Sequence, residues 1–559
     1  MKKKIFSILI AMAMTVSLAA CGSTDNESDK SSESNSNVSE SSSSDNSTSE
    51  DSSGSDIVVT DGSGESVQVP EVISIVTYDI TTLAPWESAS AGRLCVIQTL
   101  YDYLAYYDST QECGMSGILM ESYEKIDTYT SRVKIYDYIT DSAGNHLTAE
   151  DVAFSFNTWK ENGKSVKCAL LDSVTVVDEY TVDIKLNADT IGDVENMMCG
   201  LVPIVTQAAY EASDDGMYAH VVSTAPYIVT EFVAGDHLTV VKNENYWQTD
   251  ESLLAPCAVA NVDTITFKIV TESAQVAINL ETNSADMAAL VPNTEISRFE
   301  ADDNFLTYST GSSNFTWLSF NVDPDNGLFY DNVALRQAIC YAIDQEGLVN
   351  GAVDGHGTVS HAFANPICVD YNPDWDNELN YGYELETAKQ LLADSGFDTS
   401  TPIRIMYSSG DKQKSDATIV MNYLRALGLE NTEILGYEAA LYQSYKTDPK
   451  EWDIIIDDVQ SVDFVVGAAS KFDRNVPAVN LAQDDKLQEL FELVTTNAGH
   501  TTENIEEYMD YILMDQCYVY PLYRENYNYV AEQGVSSMYI NFKGYLLPGA
   551  CTYTEEFTR

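Results

Sequence analysis

Residues 314–349 read NFTWLSFNVDPDNGLFYDNVALRQAICYAIDQEGLV, and they combine a turn with a helix. The turn is DPDNG at 323–327, where acidic and amide side chains precede a glycine, as in an Asx-type turn. It resembles half of a calcium-binding loop, but its glycine stands one position late and no glutamate closes it. One helix is predicted at 332–349, because its apolar residues recur at intervals of three and four and share one face. These residues are Leu335, Ala338, Ile339, Ala342 and Ile343.

Three further segments have the periodicity of helices. They are NHLTAEDVAFSFNTWKENG at 145–163, ELETAKQLLADSGF at 384–397 and DATIVMNYLRALGL at 416–429. Thr148 precedes Asp151 by three residues, which is the spacing of a capping box with aspartate in the usual place of glutamate. The two later segments end near Gly396 and Gly428, which suit a left-handed stop at the end of a helix.

Strand-like runs alternate with these helices along the chain. They are HLTVVKN at 237–243, VDTITFKIV at 262–270, TPIRIMYSS at 401–409, NTEILGYE at 431–438 and EWDIIIDDV at 451–459. Because helices and strands alternate throughout, the sequence predicts an α/β fold with mixed sheets.

The first twenty residues have the parts of an export signal, namely three lysines, the apolar run IFSILIAMAMTV and small residues before a cut site. The run is shorter than the roughly 18 to 20 apolar residues of a membrane-spanning helix. Residues 1–20 are therefore predicted to be removed as a signal peptide. LAAC at 18–21 resembles a bacterial lipobox, in which the cysteine is diacylated, and two acyl chains on Cys21 would give stable anchoring. An ordinary secretory signal with a chance cysteine is the alternative.

Residues 21–56 are rich in serine, aspartate, glutamate and asparagine. Such a segment cannot bury enough apolar surface to offset chain entropy, so it is predicted to be a disordered tether behind the lipid anchor. The composition from Ile57 onward is that of a globular protein. The remaining chain, about 500 residues, is too long for one core and predicts two or three packed subdomains.

The formal net charge is −58, which makes nucleic acid an unexpected partner, since phosphate binding needs a basic surface. Such acidity would steer cationic ligands toward the protein. Solubility of an extracellular protein is the preferred explanation.

The chain has 10 cysteines, Cys21 and nine others that are scattered without a CxxC pair. Neither a metal cluster nor a dense disulfide framework is expected from this spacing, and several free thiols would fit an anaerobic cell. The signatures GxSxG, HExxH, GxxxxGK and GxGxxG are absent from the sequence. His356 and His361 are interpreted as loop residues rather than as a metal site. No enzyme activity and no cofactor are expected.

Five segments carry a resemblance to one family. They are HLTAEDVAFSFN (146–157), STAPYIVTEFVAGDHLTVVKNENYW (223–247), the stretch at 314–349, YELETAKQLLADSGF (383–397) and YVYPLYRENYNYV (518–530). In this order they resemble the extracellular solute-binding proteins of dipeptide and oligopeptide ABC importers, solute-binding protein family 5. Most of these residues are interpreted as scaffold, so the resemblance indicates the fold and not the ligand.

The resemblance implies a two-lobed, periplasmic-binding-protein-like (Venus-flytrap) α/β fold that encloses its ligand between the lobes. Lobe one is expected at 57–318 with a C-terminal return at 527–559. Lobe two is expected at 319–526. An extra subdomain of lobe one is expected at 104–207.

The two segments that cross between the lobes are expected near 314–321 and 521–527. A ligand drives closure of such a hinge through its stronger contacts with the closed state. The expected partners are a peptide ligand, an ABC permease with its ATPase, and the membrane through diacylglycerol on Cys21. The protein is expected to be a monomer, lipid-anchored on the extracellular face of the cell membrane.

Peptide-binding members of the family anchor the ligand's amino group with an aspartate shortly after a strand. Here the strand lies in EWDIIIDDVQSVDFV at 451–465, and Asp463 is the positional match within one residue, with Phe464 in place of the family's tyrosine. A carboxylate in a dry cleft pairs well with an ammonium group. The other cleft candidates are Trp86, Leu290, Pro292, Phe315, Trp317, Gln460 and Ser461. A surface loop for Asp463, and core packing for Trp86 and Trp317, are the alternatives.

Two other functions stay open. Ala84, Ser223, Ala225 and Phe464 depart from the family pattern, which leaves room for an oligosaccharide or a nickel complex as the ligand of the same receptor. A surface hydrolase or adhesin on this scaffold is the third hypothesis, and the sequence contains no recognisable pair of nucleophile and base for it.

Overall fold

The computed structural model describes residues 57–558, apart from several short segments. These segments are 61–65, 88–90, 109, 112, 313, 367, 369, 461–463, 473, 475–481, 483 and 542. The predicted signal peptide, Cys21 and the tether lie outside the described residues. Within the part of the chain that is described, no helix has the length and apolar character needed to cross a membrane.

The strands run along the chain as follows. They are β1 (Ile57–Thr60), β2 (Val69–Val76), β3 (Ala105–Tyr107), β4 (Met115–Gly117), β5 (Met120–Lys125), β6 (Thr130–Ile135), β7 (Leu171–Asp178), β8 (Thr181–Leu186), β9 (Tyr227–Val233), β10 (His237–Lys242), β11 (Val262–Ile269), β12 (Met287–Ala289), β13 (Phe305–Gly311), β14 (Asn314–Phe320), β15 (Gly357–Val359), β16 (Ile403–Ser408), β17 (Thr432–Tyr437), β18 (Ile454–Gln460), β19 (Val519–Glu532), β20 (Val535–Ile540) and β21 (Thr552–Tyr553). All five predicted strands are present, β10, β11, β16, β17 and β18.

The α-helices are interleaved with these strands. They are α1 (Ala91–Leu100), α2 (Ala149–Asn162), α3 (Asp193–Asn196), α4 (Gln207–Ala212), α5 (Ser273–Glu281), α6 (Asn293–Glu300), α7 (Val333–Ala342), α8 (Gln345–Ala352), α9 (Trp375–Glu378), α10 (Leu385–Asp394), α11 (Asp411–Leu427), α12 (Ala439–Lys446), α13 (Asp485–Val494) and α14 (Thr502–Asp510).

A 12-stranded sheet runs through the molecule in the order β17-β16-β18-β14-β19-β12-β2-β11-β10-β9, with β13 and β15 also paired to β19. The pairs β16/β17, β16/β18, β2/β11 and β2/β12 are parallel, whereas β19 pairs antiparallel with its neighbours. The predicted mixed sheet is therefore confirmed.

Strand β19 connects the two halves of this sheet. Its residues 519–523 pair with β14, and its residues 526–532 pair with β13. Strand β13 ends at Gly311 and β14 begins at Asn314, and the N–H of Ser312 between them donates to the carbonyl of Glu525 in β19 at 2.9 Å. Two adjacent segments thus link the halves of the sheet, in the regions where the sequence places the two crossings.

Two large apolar cores lie on either side of these crossings. The first takes its buried side chains from residues 69–287 and 529–557, and the second takes them from residues 315–523. A chain that leaves one core, builds another and returns to the first gives a two-lobed α/β molecule.

A separate 4-stranded sheet, β5-β6-β8-β7, packs against α2 beside the first core. The Asp151 carboxylate accepts hydrogen bonds from both the N–H (2.8 Å) and the hydroxyl (2.9 Å) of Thr148. This arrangement confirms the predicted capping at the start of α2. The helix ends at Gly163, whose φ of +63° is the left-handed conformation that glycine adopts most readily.

The single helix predicted at 332–349 is wrong, because the structure divides it into α7 and α8. Ile343 is extended, with φ −94° and ψ 119°, although its side chain remains buried. Asp344 then caps α8, since its carboxylate accepts a hydrogen bond from the N–H of Gly347 at 3.0 Å. Aspartate is more favourable as the N-cap of a new helix than in the interior of a continuing helix.

Candidate functional site

One face of β14 carries two predicted cleft residues, Phe315 and Trp317. Their ring centroids lie 5.8 Å apart, and Trp317 also meets Phe472 at 5.8 Å. All three side chains are buried. The indole N–H of Trp317 has no hydrogen-bond partner among the described residues. Both predicted residues therefore lie in a packed aromatic layer at the crossing.

The other face of β14 carries a buried charged network that the sequence did not reveal. The Lys412 ammonium, in the first turn of α11, donates to the hydroxyl of Thr316 and to the carboxylate of Asp458, both at 2.9 Å. It also lies 3.5 Å from Asp416, which accepts a hydrogen bond from the Tyr523 hydroxyl at 2.8 Å. In the sequence, the signal for this network was the pair of aspartates, Asp457 and Asp458, inside an otherwise apolar strand.

The electrostatics of this network favour the charged forms of Lys412 and Asp458. Burial alone would lower the pKa of Lys412, but the charges of Asp458 and Asp416 hold it well above its usual value. Burial would raise the pKa of Asp458, yet Lys412 and the hydrogen bond from Thr316 lower it. Burial raises the pKa of nearby Glu525 on the crossing strand. The network can thus hold an ion pair inside the molecule.

The candidate ligand loop follows β18. Gln460 ends that strand opposite Asn314, and only its backbone is described, while Ser461 and Asp463 lie outside the described residues. The next residue, Phe464, packs edge-on against the His500 ring at 5.3 Å. The N–H of Val465 donates to the Asp370 carboxylate at 2.9 Å. The C-terminal side of this loop is therefore fixed by the second core.

His500 is held in place by hydrogen bonds at both ring nitrogens. Its Nε2 lies 2.8 Å from the Asp370 carboxylate, and its Nδ1 lies 2.9 Å from the carbonyl of Val494. Both partners accept, so the doubly protonated ring suits this site. Burial lowers the pKa of His500, but Asp370 and the carbonyl outweigh that effect and raise it above its usual value.

A contact between the two cores lies beside this loop. We call it the bridging contact, residues 189–192 against residues 495–497. The N–H of Ile191 donates to the carbonyl of Thr495 at 3.0 Å. The side-chain amide of Asn497 donates to the Asp189 carboxylate at 2.5 Å and to the carbonyl of Thr190 at 3.3 Å. Ile191 also packs against the second core.

Gly192 ends the bridging contact directly against Phe464. A Cβ atom on this glycine would lie 2.4 Å from two carbons of the Phe464 ring, and its φ of +73° is left-handed. Both features favour glycine at this position. Phe464, which follows the candidate ligand residues, thus touches both cores of the molecule. The bridging contact joins Asp189 to Asn497, which lie 308 positions apart, and no sequence signal could have revealed it.

Trp86, a further predicted cleft residue, lies in the first core. Trp86 packs against Tyr210 and Phe154, with ring centroids 5.1 and 6.2 Å away, and its indole N–H donates to the carbonyl of Pro203 at 3.2 Å. These contacts agree with its alternative interpretation as a core residue.

Leu290 and Pro292 follow β12, next to the crossing strand. Leu290 has a left-handed φ of +56°, and Pro292 immediately precedes α6. Between them, the N–H of Val291 donates to the carbonyl of Asn528 in β19 at 2.9 Å. This pairing places both residues close to the C-terminal half of the crossing strand.

The described structure brings Phe315, Trp317, Gln460 and Phe464 to the crossing and the end of β18. Residues 115–464 match the family described as bacterial extracellular solute-binding proteins, family 5 Middle. The chain belongs to this family. Family 5 solute-binding proteins are transport receptors rather than enzymes.

Two curated relatives show what this family 5 protein is similar to. The glutathione-binding protein GsiB of Pectobacterium atrosepticum is 23% identical over 332 residues, which cover 58% of this chain and 61% of that protein. The oligopeptide-binding protein AppA of Bacillus subtilis is 25% identical over 385 residues, which cover 63% of this chain and 66% of that protein. The matches thus span less than two thirds of the length of these relatives.

The fold of this family 5 protein is also that of solved structures. The ABC transporter substrate-binding protein CtaP of Listeria monocytogenes superposes with a TM-score of 0.74 at 18% sequence identity, covering 87% of this chain and 100% of that one. The predicted two-lobed α/β class is thereby confirmed.

Proposed function

We propose that this protein is the solute receptor of an ABC importer and that it captures peptides between its two lobes. The observation that carries the proposal is the loop after β18, which touches both cores through Phe464 and Gly192. A ligand at that loop contacts both halves at once. Such a ligand stabilises the closed form, which is the requirement for closure driven by binding.

The lobes are assigned as 57–318 with 527–559 and as 319–526, with the extra subdomain at 104–207. The two separate sets of buried side chains, 69–287 with 529–557 and 315–523, support a division near these bounds, and the bridging contact joins residues 189–192 to the second set. The crossings at β14 and β19 act as the hinge. The charged network of Lys412 and Asp458 stiffens the lobe-two side of this hinge.

The receptor is anchored through diacylglycerol on Cys21, whose two acyl chains include palmitate, and residues 21–56 tether it to the extracellular face. It works as a monomer that delivers its ligand to a membrane permease and ATPase. Family membership supports the extracellular location. Metabolic labelling with radioactive palmitate tests the anchor, and label that persists in Cys21→Ala would contradict it.

The ligand is assigned as a peptide whose amino group is bound by Asp463, with Trp86, Leu290, Pro292, Phe315, Trp317, Gln460, Ser461 and Phe464 as cleft candidates. AppA and GsiB, which bind an oligopeptide and glutathione by name, support a peptide-like ligand. The acidic surface favours a cationic group in solution.

The test is thermal melting of the full chain against mixed peptides, oligosaccharides and complexed nickel. A specific ligand at about 100 times its Kd adds roughly 2.7 kcal/mol of stability. We expect a shift with peptides alone, lost in Asp463→Ala and kept in Asp331→Ala, an exposed aspartate of lobe two. A shift with sugars or nickel alone would overturn the peptide assignment. Product formed from peptides or glycans would overturn the receptor function.

A further inference from the structure

Two buried cysteines of the second core face each other across a long stretch of sequence. Cys340 lies in the last turn of α7, and Cys517 lies just before β19. Their sulfur atoms are 3.2 Å apart, and both side chains are fully buried. Other described thiols contact backbone carbonyls instead, for example Cys168 with Trp159 and Cys551 with Leu547.

The backbone around this pair is held in place independently of the sulfur atoms. Arg336, one turn before Cys340, donates through Nε to the carbonyl of Gln516 at 2.8 Å. Gln337 donates to the carbonyl of Met514 at 3.1 Å, and the Tyr381 hydroxyl donates to the carbonyl of Leu513 at 2.6 Å. The turn that carries Cys517 is therefore fixed against α7.

The distance between the sulfur atoms fits a covalent bond after a small movement. A disulfide has an S–S length of about 2.05 Å, so an approach of about 1 Å through side-chain rotation is enough. Bonds between cysteines form in extracellular proteins, and this family is extracellular.

The Arg336 guanidinium places a positive charge near the two sulfur atoms. The thiolate is the nucleophile in thiol–disulfide exchange. The same Arg336 charge disfavours a metal cation, and the described residues contain no group of three metal-ligating side chains.

We propose that Cys340 and Cys517 form a disulfide that clips the end of α7 to the start of β19. The Cys517 thiolate attacks a low-molecular-weight disulfide, and one thiol leaves. Cys340 then loses its proton and attacks the mixed disulfide, releasing the second thiol. Two S–H bonds are replaced by one S–S bond, and the oxidant takes up two electrons and two protons. Because both thiols are buried in the folded core, the exchange takes place during folding.

The experiment is refolding of the full chain with oxidised glutathione, followed by denaturation in N-ethylmaleimide and peptide mass spectrometry. We expect a peptide containing Cys340 linked to one containing Cys517, and its loss after dithiothreitol. The link persists in Cys168→Ala, a matched buried cysteine, and is absent in Cys340→Ala. Complete maleimide labelling of both thiols in the wild type, or a link between other cysteines in their place, would overturn the proposal.

A second measurement does not depend on a variant that folds poorly. Dithiothreitol lowers the melting temperature of the oxidised wild type by several degrees if the bond constrains the unfolded chain. The Cys340→Ala/Cys517→Ala double variant gives no such shift. A linked peptide without any change in melting temperature would show that the disulfide does not stabilise the fold. Stoichiometric zinc in the native protein, with both thiols labelled only after denaturation, would show a metal site in place of the disulfide.

Discussion

Asp453, at the start of β18, shows what a single buried charge does for the second core. Its side chain is 5% exposed and pairs with Arg404, through two bonds of 2.9 Å from the guanidinium. It also accepts from the backbone N–H of Arg404 at 2.8 Å and from Asn326 at 3.0 Å. Asp453→Ala removes the carboxylate from the guanidinium and from the backbone N–H of Arg404, whereas Asn326 keeps the carbonyls of Pro449 and Trp452 as acceptors. We expect a loss of about 3 kcal/mol in the free energy of unfolding, measured by urea denaturation.

The matched control is Glu386→Ala, which breaks an exposed pair with Lys389. Exposed pairs on a helix contribute about 0.3–0.5 kcal/mol, so this variant changes stability little. If the two substitutions lowered the free energy of unfolding equally, burial of the pair between Asp453 and Arg404 would not determine its contribution to stability.

Asp102 predicts a pH dependence in the first core. Its side chain is buried, and burial raises its pKa to about 6 despite the hydrogen bond from the indole of Trp247. The folded state therefore binds this proton more tightly than the unfolded state does. The contribution of Asp102 to stability falls as pH rises from about 4 through 6, by about 3 kcal/mol in total.

Asp102→Asn removes this titration while keeping an acceptor for the indole of Trp247, which lies 3.4 Å from the carboxylate. We expect the variant to gain stability relative to the wild type between pH 4 and pH 7. Urea midpoints at both pH values measure the difference. Parallel curves for the two proteins would mean that Asp102 does not titrate in this range.

At the scale of elements, local sequence chemistry predicted the ends of helices well. The aspartate at 151 and the glycine at 428, with φ +114°, act as the sequence indicates. Asp344 misled the prediction, because the apolar periodicity continues across it while its carboxylate starts a new helix. Apolar periodicity predicts which residues are buried. It cannot predict the break between α7 and α8, because Ile343 stays buried across that break.

The bridging contact is an element-scale device between two loops. Asp189→Ala removes the acceptor for the backbone N–H and the side-chain amide of Asn497, at 3.2 and 2.5 Å. If the proposed closure is right, the loss of these hydrogen bonds weakens ligand affinity about tenfold. Isothermal titration with the ligand found by melting measures this change.

Asp214→Ala serves as the control, because this aspartate is exposed in the same half of the molecule. Both variants should unfold at nearly the same denaturant concentration as the wild type. Unchanged affinity in Asp189→Ala would mean that the bridging contact does not contribute to ligand binding. The assignment of the ligand would not be affected.

At the scale of the whole molecule, the resemblance of ordered motifs predicted two lobes, because motifs such as 314–349 build the crossing and the second core. The candidate site was only partly predictable. Trp317 could be placed on a crossing strand, but its packing against Phe472 depends on a segment distant in sequence. The same holds for Lys412 and Asp458, which meet only after α11 docks on the sheet.

The last prediction concerns motion between the lobes. Asp189→Cys combined with Asn497→Cys places two thiols where the native side chains touch at 2.5 Å. Oxidation of this variant should lock the lobes together, because the new bond spans the hinge. We expect a smaller radius of gyration in solution scattering for the ligand-free oxidised form than for the reduced form. Ligand exchange should also be slower.

The single-cysteine variants and the wild type are measured in both redox states, since reduction would also break the disulfide proposed between Cys340 and Cys517. Closure predicts that only the double variant changes its radius of gyration on oxidation. An identical radius in both states would mean that the bridging contact persists in the ligand-free protein. Opening would then have to occur along the crossings at β14 and β19, which link the two cores.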